Sequence, residues 1–345
     1  MATTSNMNAS NVRTLADWGV FYGKAENGKE GQDARNIIEV MDQANSILDD
    51  ITFVEASDTD GNRTLLRTKI PTVYWRQLYR GTPPSKSHVS LVKDPVGMLE
   101  GRSMIDLKLR DIDEGRFQNY RLGEIKAFGE SMRQELAKAI FYGDVKNNPL
   151  GINGLAMRYA YKNAPNVVDA GGTGAECTSM YGVVWGERET FGIFPKGSTA
   201  GLKHEDLHNF DAYDENGNAF RATGDVVSWN VGLAVADWRP NVRICNIPVD
   251  KLMLKKGDPG FVDLHRLTII AKNKIPAEKR SRLIWYVPEI VMTALELQSS
   301  DGGHVHLTYG DLFRSQNVPK LHGSAVRQCD AILETEAALG LVPAA

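Results

Sequence analysis

The sequence predicts an α+β fold built around a long helix and an extended β-arm, and three observations carry that prediction. Apolar residues recur three and four apart from Asn119 to Tyr142, the period of one buried helix face. Short alternating or β-branched runs, separated by Gly, Pro and Asn turns, begin at Ile51 and return after Gly174. Between Gly61 and Lys93 the chain carries seven cations (Arg63, Arg67, Lys69, Arg76, Arg80, Lys86 and Lys93) and no acid in 33 residues, whereas Ala25 to Asp60 holds ten acids and two cations.

Residues 1 to 32 are polar around one apolar island, Leu15, Trp18, Val20, Phe21 and Tyr22, and read as a tail with an anchor point. Asp33 caps a predicted helix in which Ala34, Ile37, Ile38, Met41, Ala44, Asn45 and Leu48 keep the spacing of one face, ending near Asp49 and Asp50. The runs ITFVEA, RTLLRTKI, TVYWRQLY and HVSLVK then read as strands, with Asp60-Gly61-Asn62 as a turn of hairpin type. Pro71, Pro83, Pro84 and Pro95 have no N–H to give a ladder, so these strands belong to an edge or an arm. In the long helix, Leu122, Ile125, Phe128, Met132, Leu136, Ala139 and Ile140 form the stripe and Gly143 the stop. At 1.5 Å per residue it predicts a rod of roughly 35 Å. Past the glycines at 171, 172 and 174 lie the β-runs YGVVWG and TFGIFP, a hairpin turned at Asn216-Gly217, and VVSWNVGLAVADWR. Two closing helices are predicted, around Pro288 to Gln298 and around Ala325 to Ala338, and no internal repeat is visible.

With 42% hydrophobic and 24% charged residues over 345 positions, the chain has the composition of a folding protein. Its net charge of −3 and pI near 6.2 argue against a surface built to hold nucleic acid. Outside the cationic stretch, 33 cations face 43 acids. Cys177, Cys245 and Cys329 are far apart and odd in number, which excludes a disulfide framework and a zinc knuckle and makes a reducing compartment the expectation. The first ten residues lack a charged segment followed by an apolar run, and no stretch approaches a membrane span.

Motifs for chemistry are weak. His204-Glu205-Asp206-Leu207-His208 matches HExxH, in which two histidines on one helical face hold zinc and the glutamate activates water. Pro195, Gly197 and Gly201 upstream and a hairpin downstream leave barely one turn of helix, so the stretch reads as a polar surface loop and a zinc hydrolase as the lesser alternative. His304 and His306 have no third ligand nearby, and Asp214 to Gly217 lacks the carboxylates of a calcium loop. The glycines at 171 to 174 are not followed by Lys and Ser/Thr, and Cys177 has no neighbouring histidine. No catalytic residue, cofactor or metal is predicted.

The arm is the informative feature. Cations interleaved with Tyr74, Trp75 and Tyr79 suit single-stranded nucleic acid, yet an acidic stretch of matching size sits in the same chain. Complementary patches steer encounter and fix register, so the sequence favours docking onto another copy. The predicted contact residues are Arg67, Lys69, Trp75, Arg76, Tyr79, Arg80 and Lys86, and the predicted acidic partner surface is Asp33, Glu39, Asp42, Asp49 and Asp50.

The string IPTVYWRQLYRGTPPSKSHVSLVKDPVGMLEGR from Ile70 to Arg102 resembles the arm signature of major capsid proteins of short-tailed bacteriophages. So do ELAKAIFYGD at 135 to 144, VVWGERETFGIFPKGSTAGLKHEDL at 183 to 207, WNVGLAVADWRPNVRICNI at 229 to 247 and HGSAVRQCDAIL at 322 to 333. The resemblance implies the Hong Kong 97-like capsid fold. Its N-terminal arm and first helix would be residues 1 to 50, its extended E-loop 51 to 112, and its spine helix 113 to 145. A β-rich block of the peripheral and axial domains would span 146 to 250, and axial helices with a closing segment 251 to 345. The β-block at 183 to 247 precedes the helix near Pro288, a departure that leaves room for permuted connectivity. The implied function is a shell subunit closing into pentamers and hexamers around double-stranded DNA held without sequence-specific contact, in a virion assembled in the bacterial cytoplasm. Implied partners are a separate scaffolding protein, since only about 32 residues precede the first predicted helix, together with a portal protein and a decoration protein; no membrane is involved. An encapsulin-like nanocompartment shell is the alternative within the fold. Lys69, Lys86 and Lys93 stand where some relatives cross-link, but no motif here supports that carry-over.

Overall fold

The computed structural model describes residues 45–112, 114–214, 216–301, 307–313 and 316–341. In chain order the elements are α1 (Ile47–Asp50), β1 (Phe53–Glu55), β2 (Gly61–Lys69), β3 (His88–Asp106), α2 (Lys108–Ile112), α3 (Glu114–Tyr142), α4 (Leu155–Arg158), β4 (Val167–Asp169), β5 (Cys177–Val184), β6 (Thr190–Phe194), β7 (Lys203–Tyr213), β8 (Ala219–Val235), β9 (Val242–Pro248), α5 (Leu264–Lys274), β10 (Leu283–Val287), α6 (Glu289–Asp301), β11 (Leu307–Phe313), β12 (Gln316–Leu321) and β13 (Ser324–Gln328). They form two compact units, one containing Leu99–Met132 and Leu202–Trp229, the other Gln43–Met98, Arg133–Gly201 and Asn230–Ala345.

The larger unit is organised by a seven-stranded sheet in the order β11-β12-β13-β10-β5-β9-β4. β5 and β9 are buried along their whole length, as expected of strands covered on both faces. Leu283, Trp285 and Val287 alternate along β10 into a core with α5 and α6, joined there by Met180, Ile244, Leu264, Val291 and Leu295. Tyr286 points the other way, its ring edge-on to Phe141 and to Trp185. Asp263 caps α5, its Oδ1 accepting from the Arg266 N–H at 2.9 Å. In the same unit β1 runs parallel to β6, β6 antiparallel to the end of β8, and β2 antiparallel to the start of β3 from Gly61–Pro95 to Lys69–His88. In the smaller unit β7 and β8 form a hairpin turned through Asp214, whose Oδ1 accepts from Asn216 N–H, with Gly217 at φ 82°.

The predicted long helix is α3, 29 residues and about 43 Å at 1.5 Å per residue. Met132, Leu136 and Ile140 of its stripe are buried, while Leu122 is exposed. Its stop at Gly143 is steric: a side chain there would meet the Ile152 and Ala139 carbonyl oxygens at 2.4 and 2.5 Å. The helix predicted to start at Asp33 lies outside the described residues as far as 44, and it does not run on to Asp50 as expected: Asn45 bridges to Cys329 instead, and α1 is a separate four-residue helix that begins after Ser46.

Three expectations are corrected. TVYWRQLY forms no strand: residues 70–87 connect β2 to β3 without a ladder, and the prolines at 71, 83 and 84 supply no N–H for one. The turn at Asp60-Gly61 is present, with Asp58 N–H on the Gly61 carbonyl, but β1 and β2 do not pair with each other, because β1 joins β6 instead. The helix predicted at Ala325 to Ala338 is instead β13 followed by an irregular strap. β13 lies between β10 and β12, the Cys329 N–H continues onto the Val287 carbonyl, and Glu336 exchanges backbone hydrogen bonds with Cys177. Tertiary pairing overrides the local spacing there.

Candidate assembly arm

β2, residues 70–87 and the start of β3 form a hairpin that is anchored at one end and bare at the other. At the anchored end Arg63 pairs with Asp58 at 2.6 Å and Lys93 with Asp60, whose carboxyl the Lys93 ammonium holds below its usual range. Every residue from Arg67 to Lys86 is exposed. Trp75 and Tyr79 are 104% and 101% exposed, and Ile70, Val73 and Leu78 are exposed beside them. The tip has local order of its own. Arg76 Nε donates to the Arg80 carbonyl at 3.0 Å, Arg80 N–H to the Gln77 carbonyl at 3.2 Å, and Tyr79 takes φ 63°, so a tight turn presents both aromatics outward. Among the described residues no carboxylate lies within 4.0 Å of Arg67, Lys69, Arg76, Arg80 or Lys86. Five cations and a run of large apolar side chains therefore stand without cover from the chain's own described residues, the signature of a contact surface.

The acidic residues divide differently from expectation. Asp33, Glu39 and Asp42 lie outside the described residues. Asp49 is exposed. Asp50 does not belong to a free surface: its Oδ1 sits 2.9 Å from Arg327, its Oδ2 accepts from Tyr286 Oη at 2.8 Å, and burial raises its carboxyl pKa. Asp58 and Asp60 are likewise engaged, at the arm's own base.

The chemical motifs resolve into structure. HEDLH is neither helix nor loop but part of β7, with a bulge between Asp206 and His208 and His208 at φ 56°. Four strand residues span about 13 Å, so His204 and His208 are not brought to one ion. His204 Nε2 instead meets Asp225 at 2.7 Å, and Arg121 binds Asp225 through Nε at 2.6 Å and Asp206 through Nη2 at 2.7 Å. Burial would raise the Asp225 pKa, but hydrogen bonds from Arg121 and His204 hold it below the usual range; Arg121 does the same for Asp206. All three cysteines are buried thiols; burial pushes Cys245 up to about 11 and Cys329 up to about 12, which removes the thiolate nucleophile. His304 and His306 lie outside the described residues.

A site invisible in the sequence is the buried Arg243, 3% exposed. Its Nη2 meets Glu336 at 2.8 Å, its Nε donates to Ser179 Oγ at 3.1 Å, and its Nη1 donates to the Tyr159 carbonyl at 3.1 Å. Glu336 also accepts from Tyr142 and Ser179. Ninety-three residues separate the two ends of the pair, so no local pattern announces it.

Over residues 28–340 the sequence matches the family described as Major capsid protein GP7. The structure of bacteriophage Epsilon15 aligns with a TM-score of 0.75 at 24% identity, covering 96% of this chain and 99% of that one. The bacteriophage JBD30 capsid aligns with a TM-score of 0.50 at 9% identity, over 89% and 96%. The SrpI encapsulin complex of Synechococcus elongatus PCC 7942 reaches 0.43 at 9%, too remote to weigh. No curated protein matches the chain in sequence. The fold is the Hong Kong 97-like capsid fold.

Proposed function

This chain belongs to the major capsid protein GP7 family, whose members build a phage shell from many copies, and we propose that its cationic hairpin is the element by which one copy grips the next. The observation that carries the reading is the bare tip: Arg67, Lys69, Arg76, Arg80 and Lys86 without carboxylates of their own, around fully exposed Trp75 and Tyr79. Charge complementarity would set register, and the two aromatics would supply the anchors that dominate interface energies. The acidic counterpart is Asp49 together with Asp33, Glu39 and Asp42.

The same reading takes 1–50 as an N-terminal arm, 51–112 as the E-loop, 113–145 as the spine helix, and 146–250 and 251–345 as the peripheral and axial parts. Heterologous contacts between copies would close pentamers and hexamers. A separate scaffolding protein, a portal protein and a decoration protein complete the assembly, which takes place in the host cytoplasm. Double-stranded DNA is enclosed without sequence-specific contact, and the chain performs no catalysis. Replacing Arg76 and Arg80 by Glu tests the grip. Folded subunits that make no shells are expected, and normal shells from that variant would refute it.

A further inference from the structure

We infer that the ion pair between buried Asp94 and partly buried Arg158 is a positioning device that sets the angle at which the hairpin leaves the subunit. This rests on the arm being an inter-subunit contact. Asp94 lies on β3 opposite Asn62 of β2, where the hairpin enters the larger unit, and its side chain is 1% exposed. Its Oδ1 accepts from Arg158 Nη2 at 2.6 Å, and its Oδ2 accepts from the Val235 N–H of β8 at 3.3 Å. The same Nη2 of Arg158 also donates to the Leu233 carbonyl of β8 at 3.3 Å. One carboxylate thus ties the arm's second strand both to α4 and to β8.

The backbone around it is closely packed. A side chain at Gly61 would meet the Asp94 carbonyl oxygen at 2.4 Å, and one at Gly232 the Pro95 carbonyl oxygen at 2.6 Å. Val96 N–H bonds the Asp60 carbonyl at 3.2 Å. Beyond this root, the chain from Arg67 to Lys86 is exposed throughout. The hairpin is therefore a lever fixed at one end. From Asn62, opposite Asp94, to Lys69 is seven steps of about 3.3 Å, a lever of about 23 Å, so a rotation of about 10° at the root carries Lys69 about 4 Å. That is further than an ion pair can follow, and the aromatics beyond Lys69 move with it. A residue that touches no neighbour then decides where Trp75 and Tyr79 arrive, and so the curvature a ring of copies can close.

A charge pair with its carboxylate buried suits this task. Loss of one partner is costly, whereas neutral polar side chains on both sides leave no uncompensated charge and surrender the charge-assisted direction of the bond. The test compares the full-length chain with Asp94→Asn, the double variant Asp94→Asn/Arg158→Gln, and Arg158→Lys, under conditions in which the unaltered chain closes shells. Shell yield and diameter are read by electron microscopy and subunit melting by calorimetry. The double variant is expected to melt close to the unaltered chain, yet to give few closed shells and a scatter of diameters; Arg158→Lys recovers part of the yield. Unaltered yield and diameter from the double variant would overturn the inference. So would a double variant that no longer folds while Arg158→Lys assembles normally, since the pair would then serve the fold alone. Arg76→Glu/Arg80→Glu, run beside them, separates the two readings. Normal shells from that variant sink the arm itself, whereas blocked shells there with normal shells from the double variant sink only the positioning role.

Discussion

The hairpin tip and the Arg243 centre are two charged regions of one molecule, solved in opposite ways. Arg243 is 3% exposed and spends its guanidinium on Glu336, Ser179 and the Tyr159 carbonyl, with the Tyr181 ring 5.2 Å beneath it. At the tip, five cations meet no described carboxylate, and Trp75 and Tyr79 meet only solvent. Within a folded unit, charge is taken up before it is buried. A region where it is not taken up, and where large apolar side chains are also bare, is what the proposed contact with another copy requires.

The contrast can be broken at either end. The largest effect is expected at the centre: Arg243→Leu leaves Glu336 buried without its cation and should cost about 3–5 kcal/mol, read as a lost or sharply lowered unfolding transition. Assembly in that variant fails because the subunit does. Trp75→Ala/Tyr79→Ala should do the reverse, changing subunit stability by less than about 0.5 kcal/mol, as expected of exposed positions. Truncating two anchors should nevertheless weaken assembly by about 2 kcal/mol or more, seen as a raised critical concentration for shells.

A smaller effect concerns acid. Arg121 hydrogen-bonds to Asp206 and Asp225 and, with His204 on Asp225, holds both carboxyls below the usual range near about 3.9. Depressed values in the folded state mean stability that is present above the unfolded pKa and lost as pH falls through the folded one. Protection of the Lys203–Tyr213 amides, measured against their intrinsic exchange rates, should therefore fall below about pH 4, and Arg121→Leu should flatten that dependence. Smallest of all, Arg67→Gln or Lys86→Gln alone should shift assembly by only a few tenths of a kcal/mol while reducing its sensitivity to salt.

The same contrast explains what was legible in the sequence. The tip could be recognised because one-sided charge over 33 residues is a local property, and the Asn216-Gly217 hairpin because its turn chemistry is local. The end of α3 at Gly143 was visible for the same reason, although the steric cause, the Ile152 carbonyl, was not. β10 was missed because LIWYV is short and buried on both faces, so it shows no alternation to read. α5 went unread although Asp263 caps it, because Ile269 and Ile270 are exposed and blur its apolar face. The strap from Cys329 was misread as helix because its conformation answers to Val287, Cys177 and Arg243, all far away in sequence. The candidate contact residues were visible as a composition; their pairing state, and the removal of Asp50 from the acidic set, required the fold.

Hydrogen exchange of residues 67–86, compared between the free subunit and the closed shell, tests the central claim most directly. Fast exchange in the free subunit and strong protection in the shell are predicted, because nothing in the chain's own described residues covers the tip and the proposed contact with a neighbouring copy would. Protection already present in the free subunit, or a tip that still exchanges freely in the finished shell, would contradict it.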